Sequence, residues 1–270
     1  MSEPEISSAV PGIDWPGIPA AKNAAMLAVL FQLERRQWWS AERLREHQRR
    51  QLSALLAHAV AHVLFYRARL GGLAELPGTG DWTEAWRHIP ILTRAEIQAA
   101  DTDESMLADT LPPGHGGYRE IFASGSTGAP IRSVRSELWE LIWSAFTVRD
   151  HLWHRRDFAG TLGAIRESGA GKAVWPEGSV SPSWGYSTDA VFRTGPSVGL
   201  NILTPVEQQV EWLLRREPDY LVTHPSIAAL LARACVERGA RPQRLKQVIT
   251  IAERLGPGLR RLCREAWGAS

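Results

Sequence analysis

A chain of 270 residues, 44% apolar and 22% charged, can bury a sizeable core as one or two domains and is too apolar to be a disordered polyelectrolyte. Its 31 basic and 29 acidic residues leave a net charge of +2, which supplies no field for recruiting nucleic acid. Two cysteines give no disulfide framework, and without a 20-residue apolar run or a signal sequence the cytoplasm is the expected compartment, with no membrane partner.

Residues 1–23, with Pro4, Pro11, Pro16 and Pro19, show no periodic pattern and read as an irregular N-terminal segment. Residues 24–117 read as a mainly helical region. Within it Arg35, Arg36, Arg43, Arg45, Arg49 and Arg50 alternate with Glu34, Glu42 and Glu46, the signature of a solvated helix face with i,i+4 pairing. His58 and His62 are four residues apart but lack the glutamate of H-E-x-x-H, so they read as structural, and no metal-binding set is identified.

Residues 118–270 read as an α/β nucleotide-binding region. Tyr118 to Ala123 and Ile131 to Arg135 are rich in β-formers and flank the run Ser124-Gly125-Ser126-Thr127-Gly128-Ala129-Pro130. Glycines that tolerate positive φ, backbone N–H groups and three hydroxyls suit anionic oxygens, so this turn is a candidate phosphate loop. An exposed hairpin turn is the competing reading of the same residues. It is not a Walker loop, because no lysine follows the last glycine. After it a helix is predicted, with Ser136 as N-cap and Leu138, Trp139, Ile142, Trp143 and Phe146 on one apolar face. His151 and His154 fall at its end, where a cationic side chain complements the helix dipole.

Strands are predicted over Gly160–Ile165, Val198–Leu203, Tyr220–Thr223 and Lys246–Ile251, and helices over Pro205–Arg215, Ser226–Arg238 and Pro257–Trp267. Alternating β and α units imply a mostly parallel sheet with covering helices. The Gly/Ser/Pro/Trp-rich stretch Ser168–Asp189 is expected to be either a pocket lid or a disordered excursion. Cys235 and Cys263, on amphipathic helices, are expected to be buried thiols. Lys172, in Ser168-Gly169-Ala170-Gly171-Lys172, lacks phosphate-loop spacing and reads as surface loop. His224 sits at the C-terminal end of a strand, where open α/β sheets place ligands; a satisfied polar residue in a turn is the alternative.

Ser124 to Pro130 resembles the signature loop of the AMP-forming adenylate ligases, in the branch of phenylacetate-CoA ligase and the capsule-biosynthesis proteins similar to it. Four further segments are similar to that branch in the same order: Leu55 to Ala59 with Leu64 to Arg67, Ile89 to Ile97, Pro218 to Ser226 and Leu245 to Glu253. The resemblance spans roughly Gln37 to Gly268. It implies that a carboxylic acid is joined to ATP with loss of pyrophosphate, and that a thiol such as coenzyme A then displaces AMP. Ser124, Gly125, Ser126, Thr127 and Gly128 would hold the β- and γ-phosphates with Mg²⁺, Glu253 would lie at the adenine end, and His224 near the acyl group. No catalytic residue is assigned.

In that family a tyrosine-glycine-x-threonine-glutamate motif and a lysine-bearing C-terminal domain follow the helix corresponding to Gly256–Trp267. The resemblance therefore implies an N-terminal portion, truncated before the metal acid, that does not complete adenylation alone; a second chain or a second copy of this one is the partner expected to complete it. The alternative from another class is a non-catalytic binding or interaction protein that keeps the loop as a fold element.

Overall fold

The computed structural model describes residues 5–70, 82–101, 106–122 and 130–270. The candidate phosphate loop, Ser124–Gly128, lies outside the described residues. The chain divides into two compact units, residues 28–143 and residues 1–27 together with 144–270.

Five helices occupy the first part of the chain: α1 (Ala21–Arg36), α2 (Ala41–His62), α3 (Leu64–Leu70), α4 (Trp82–Arg87) and α5 (Arg94–Asp101). Helix α2 starts where the Ser40 hydroxyl accepts the Arg43 N–H at 3.3 Å. Its arginines form the solvated face expected of them, with Glu46 bonded to Arg49 at 2.8 Å and 3.6 Å from Arg50. Leu56 and Leu70 form a small buried cluster with Leu52, Val60, Tyr66 and Ile89 packed on it. In the same unit β1 (Tyr118–Phe122) pairs antiparallel with β2 (Arg132–Ser136), Tyr118 opposite Ser136 and Phe122 opposite Arg132. The strands predicted before and after residues 124–130 thus exist and pair.

Helix α6 (Glu137–Trp153) follows directly, its first turn capped by the Ser136 hydroxyl, which accepts the Trp139 N–H at 3.2 Å. The face the helix buries is not its most apolar one. Ser144, Ala145, Val148 and His151 are buried, whereas Ile142, Trp143 and Phe146 are exposed. The buried face includes two polar residues, Ser144, whose hydroxyl lies 3.1 Å from that of Ser187, and His151.

In the other unit the remaining elements are β3 (Leu162–Arg166), β4 (Ser179–Ser181), α7 (Tyr186–Asp189), β5 (Ser197–Asn201), α8 (Val206–Arg216), β6 (Tyr220–Thr223), α9 (Pro225–Arg238), β7 (Gln247–Thr250) and α10 (Leu259–Trp267). They form a five-stranded sheet in the order β4-β5-β3-β6-β7. All neighbours are parallel except the β4–β5 pair, and Leu162 of β3 stands opposite both Ser197 and Tyr220. This is the mostly parallel α/β sheet that the alternating pattern predicts. The outer side of β7 carries Ser270, which accepts the Val248 N–H at 3.0 Å and donates its own N–H to Lys246 O at 3.1 Å.

The core joins Ile165, Leu200 and Leu221 of the sheet to Trp212 and Leu213 of α8, Leu231 and Cys235 of α9, and Cys263 and Trp267 of α10. Both cysteines are free and buried, as expected, and burial pushes both thiol pKa values up. Asp219, 3% exposed, ties strand entries together. Its Oδ2 accepts the Thr161 N–H at 2.8 Å and Arg244 at 2.7 Å, and its Oδ1 lies 3.0 Å from Lys246 Nζ.

The stretch Ser168–Asp189 is not a disordered excursion. It contains β4 and α7, and its aromatic residues anchor it: Trp184 is buried with its indole N–H on Gly160 O at 2.9 Å, and Trp175 packs against the core under the Arg215 guanidinium. Arg215 and Arg216 also donate to Pro176 O and Glu177 O. The glycines and prolines of this stretch suggest looseness, but the two tryptophans, Trp175 and Trp184, pin it. Gly178 shows the tightness: at φ +71° a Cβ there would stand 2.2 Å from Gly199 O and 2.9 Å from Trp212 Nε1. Gly178→Ala is expected to destabilise this unit by about 2 kcal/mol or more, read as a lowered urea midpoint.

His151 departs from the expected cationic role. Buried on α6, it has its ring 5.1 Å from that of Trp184, and its Nδ1 lies 2.9 Å from Arg156 Nη1. Burial first, and the Arg156 charge second, lower its pKa to about 4, so it is neutral at pH 7. His154 fits the helix-end reading, its Nδ1 2.9 Å from Asp150 O.

Candidate functional site

Strand β6 ends at Thr223, whose buried hydroxyl donates to Ile165 O at 2.8 Å and locks the strand end to its neighbour β3. The next residue, His224, is the N-cap of α9, with extended backbone (φ −76°, ψ 146°) and Pro225 in the first turn. Proline suits that position because its missing N–H would find no partner inside the helix anyway. The His224 side chain makes no capping bond of its own.

The cap comes from a distant part of the sequence. Strand β7 ends at Thr250, and Ala252 adopts the left-handed conformation, φ +65°. The chain turns there, and Glu253 Oε2 accepts the Ser226 N–H at 2.9 Å while its Oε1 accepts the Ser226 hydroxyl at 2.8 Å. His224 Nδ1 lies 3.5 Å from the same Oε1. The carboxylate therefore occupies the position an N-cap side chain normally fills, against the positive end of the α9 dipole.

These contacts keep Glu253 ionised. The Ser226 N–H, then the Ser226 hydroxyl, and then the His224 charge lower its pKa below the usual carboxylate range. The contribution to stability is present above the unfolded-state pKa, about 4.3, and is lost as pH falls through the lower folded value. Glu253→Ala is expected to leave the Ser226 N–H without its acceptor, so that its amide exchanges faster with solvent than in the parent protein; unchanged protection would mean the cap is not held in solution.

Two of the sequence candidates, His224 and Glu253, are thus brought together at the C-terminal ends of adjacent parallel strands. Nothing is described of the third, the Ser124–Gly128 loop. Ser226, the residue that joins the other two, was not singled out from sequence. A serine just inside a helix that opens with proline was the available signal, but its partner lies 27 residues further on.

Beside this junction, α9 and the start of α10 enclose a cavity of about 550 Å³ that reaches Ser226 and Glu253. Among the described residues no group of three or more His, Cys, Asp or Glu could hold a metal ion, so no residue there is assigned to Mg²⁺. No described helix is long and apolar enough to cross a membrane. Lys246, one of three lysines, is engaged by Asp219.

The mostly parallel sheet and its covering helices are a fold that this chain shares with CoA ligases of known structure. The chain aligns with a 2-hydroxyisobutyryl-CoA ligase in complex with 2-HIB-AMP and CoA in the thioesterification state at a TM-score of 0.55 and 18% identity, over 93% of this chain and 48% of that one. An open conformation of that ligase with the same ligands gives a TM-score of 0.52 and 19% identity, over 81% of this chain and 50% of that one. Its postadenylation state with 2-HIB-AMP gives 0.50 and 16%, over 93% and 48%. The chain spans about half the length of these proteins. No protein-family model matches the sequence, and no curated protein matches it.

Proposed function

We propose that this chain carries the ATP- and acid-binding part of an AMP-forming carboxylate ligase. In the reaction a carboxylate oxygen attacks the α-phosphorus of ATP, the bond to the β-phosphate oxygen breaks, and pyrophosphate leaves. The thiol of coenzyme A then attacks the acyl carbon of the adenylate, AMP departs, and the thiol proton goes to solvent. The observation that carries this reading is the convergence of His224 and Glu253, 3.5 Å apart, on the carboxyl edge of β6 and β7, where sheets of this kind receive ligands.

Each residue has a task in this scheme. The N–H groups and hydroxyls of Ser124, Gly125, Ser126, Thr127 and Gly128 grip the β- and γ-phosphates and orient pyrophosphate as it leaves. Glu253, with lone pairs left over from its bonds to Ser226, accepts from the adenine amino group. His224, partly buried beside it, borders the acyl group. Mg²⁺ would accompany the triphosphate as counter-charge, and no step is assigned to it. The order of the five similar sequence segments supports the branch of phenylacetate-CoA ligase, with an aryl or other small organic acid as substrate.

Calorimetry with ATP and Mg²⁺, followed by pyrophosphate exchange over a panel of aryl and fatty acids, tests the reading. Binding in the micromolar range that Thr127→Ala weakens is expected. No heat of binding at millimolar nucleotide would remove the nucleotide site from this polypeptide.

A further inference from the structure

The arginine-rich corner between α1 and α2 takes no part in the adenylation scheme. Helix α1 ends at Arg36, the chain turns with the Trp39 N–H on Arg36 O at 3.1 Å, and Ser40 caps α2. In this corner guanidinium groups lie on aromatic rings: Arg43 Cζ stands 3.9 Å and Arg36 Cζ 5.3 Å from the Trp39 ring centroid, and Arg35 Cζ 4.6 Å from that of Phe31. The His47 ring meets Trp39 edge-on at 5.5 Å. Trp39 is thereby pinned, while its neighbour Trp38 is 82% exposed and Phe31 59% exposed.

The charge of the corner is unbalanced. Among the described residues no carboxylate pairs with Arg35, Arg36 or Arg43, whereas Arg49 and Arg50, further along α2, are held by Glu46. Arg36 donates to the neutral Gln32 at 2.8 Å. From Glu34 to Arg45 four arginines stand against two glutamates, and Gln37 already donates to Glu34 at 2.9 Å. Local positive charge thus coincides with two large exposed rings, and stacked arginines cover apolar surface with their stems while their N–H donors remain for oxygen.

We infer that this corner docks the protein on an anionic lipid surface, Trp38 and Phe31 entering the headgroup boundary and Arg35, Arg36 and Arg43 holding lipid phosphates and carboxylates. Tryptophan rings flanked by arginine suit that boundary, and an anionic leaflet attracts each basic residue brought near it. A nucleic-acid strand fits less well: a net charge of +2 gives no long-range field, and the guanidinium groups on Trp39 occupy a ring on which a base would stack. The lack of a 20-residue apolar run led to the expectation of no membrane partner, but docking at the surface needs no such run. No residue given to ATP or to the acid takes part.

Co-sedimentation of the 270-residue protein with vesicles tests this. Vesicles of phosphatidylcholine containing about one-third phosphatidylserine are expected to carry the protein down at low salt and to release it at high salt, and phosphatidylcholine alone to leave it in solution. Arg35→Gln and Arg43→Gln are each expected to weaken binding about five-fold and Trp38→Ala about ten-fold, with Trp38→Phe losing less. Arg35, Trp38 and Arg43 are exposed, so these variants should melt like the parent. Lys172→Gln, which removes an exposed charge from the other unit, should bind as the parent does. Absence of sedimentation with phosphatidylserine vesicles, equal sedimentation with phosphatidylcholine alone, indifference to both Trp38→Ala and Arg43→Gln, or an equal loss in Lys172→Gln would each overturn the inference. So would binding of oligothymidine or polyglutamate that Trp38→Ala abolishes, which would give the corner to a nucleic acid or to an acidic protein.

Discussion

Trp212→Ala is expected to lower the stability of the sheet-bearing unit by about 3–5 kcal/mol, a large share of the roughly 5–15 kcal/mol that holds a domain folded. Trp212 is fully buried between α8 and the sheet, and its indole N–H points at Glu177 O, 3.4 Å away. Removing it opens a cavity that rigid neighbours cannot close: Gly178 and Gly199 already meet across the strand edge with no room for a methyl group. The Trp175–Gly178 turn would lose its floor with the ring. In urea the midpoint should fall with little change in slope, since the surface exposed on unfolding is nearly the same. Trp212→Phe, which keeps a ring in the slot, should lose less. A change below about 1 kcal/mol for the alanine variant would show that the turn and α8 do not depend on each other as described.

The second large effect is expected at Asp219. Burial pushes its pKa up, but the Thr161 N–H, Lys246 and Arg244 outweigh that and hold it below the usual carboxylate range. Asp219→Ala should cost about 2–3 kcal/mol near neutral pH. The bond to Thr161 carries most of this, because Arg244 and Lys246 are 58% and 54% exposed and their attraction is screened. The sign of the pH dependence follows from the lowered pKa. The folded state binds the proton less readily than the unfolded chain, so the contribution is complete above the unfolded pKa of about 3.9 and fades as pH falls toward the folded value. Unfolding measured from pH 6 down into the acid range should show the parent losing stability faster than the variant. Parallel curves would mean that Asp219 is not held as an anion in the folded state.

What could be read from the sequence divides along a physical line. The strands β3, β6 and β7, and the helices between them, were legible because short β-branched runs alternate with amphipathic stretches punctuated by Pro205, Pro225 and Gly239. Placing His224 at a strand's carboxyl end needed only that pattern. The bond between Glu253 and Ser226 was not legible, since it joins residues that share no local periodicity and meet only when β6 and β7 lie side by side. Which face of α6 is buried was not legible for a different reason. Trp139, Trp143 and Phe146 outweigh Ala145 and Val148 as apolar surface, yet Ala145 and Val148 are the fully buried pair. His151 shows the same failure: a histidine near a helix end reads as a cation until the rings of Phe158 and Trp184 are found around it.

The strand order has a consequence for how the sheet opens in time. Strand β3 is flanked on both sides, by β5 and by β6, whereas β4 and β7 stand at the rims. Amide protons of Gly163 to Ile165 should therefore be the last of the sheet to exchange into deuterated water, released only when the whole unit unfolds. Those of Ser179 to Ser181 should go early, as the rim strand lifts away. The protection pattern would then run as a gradient outward from β3, a kinetic map of the sheet order.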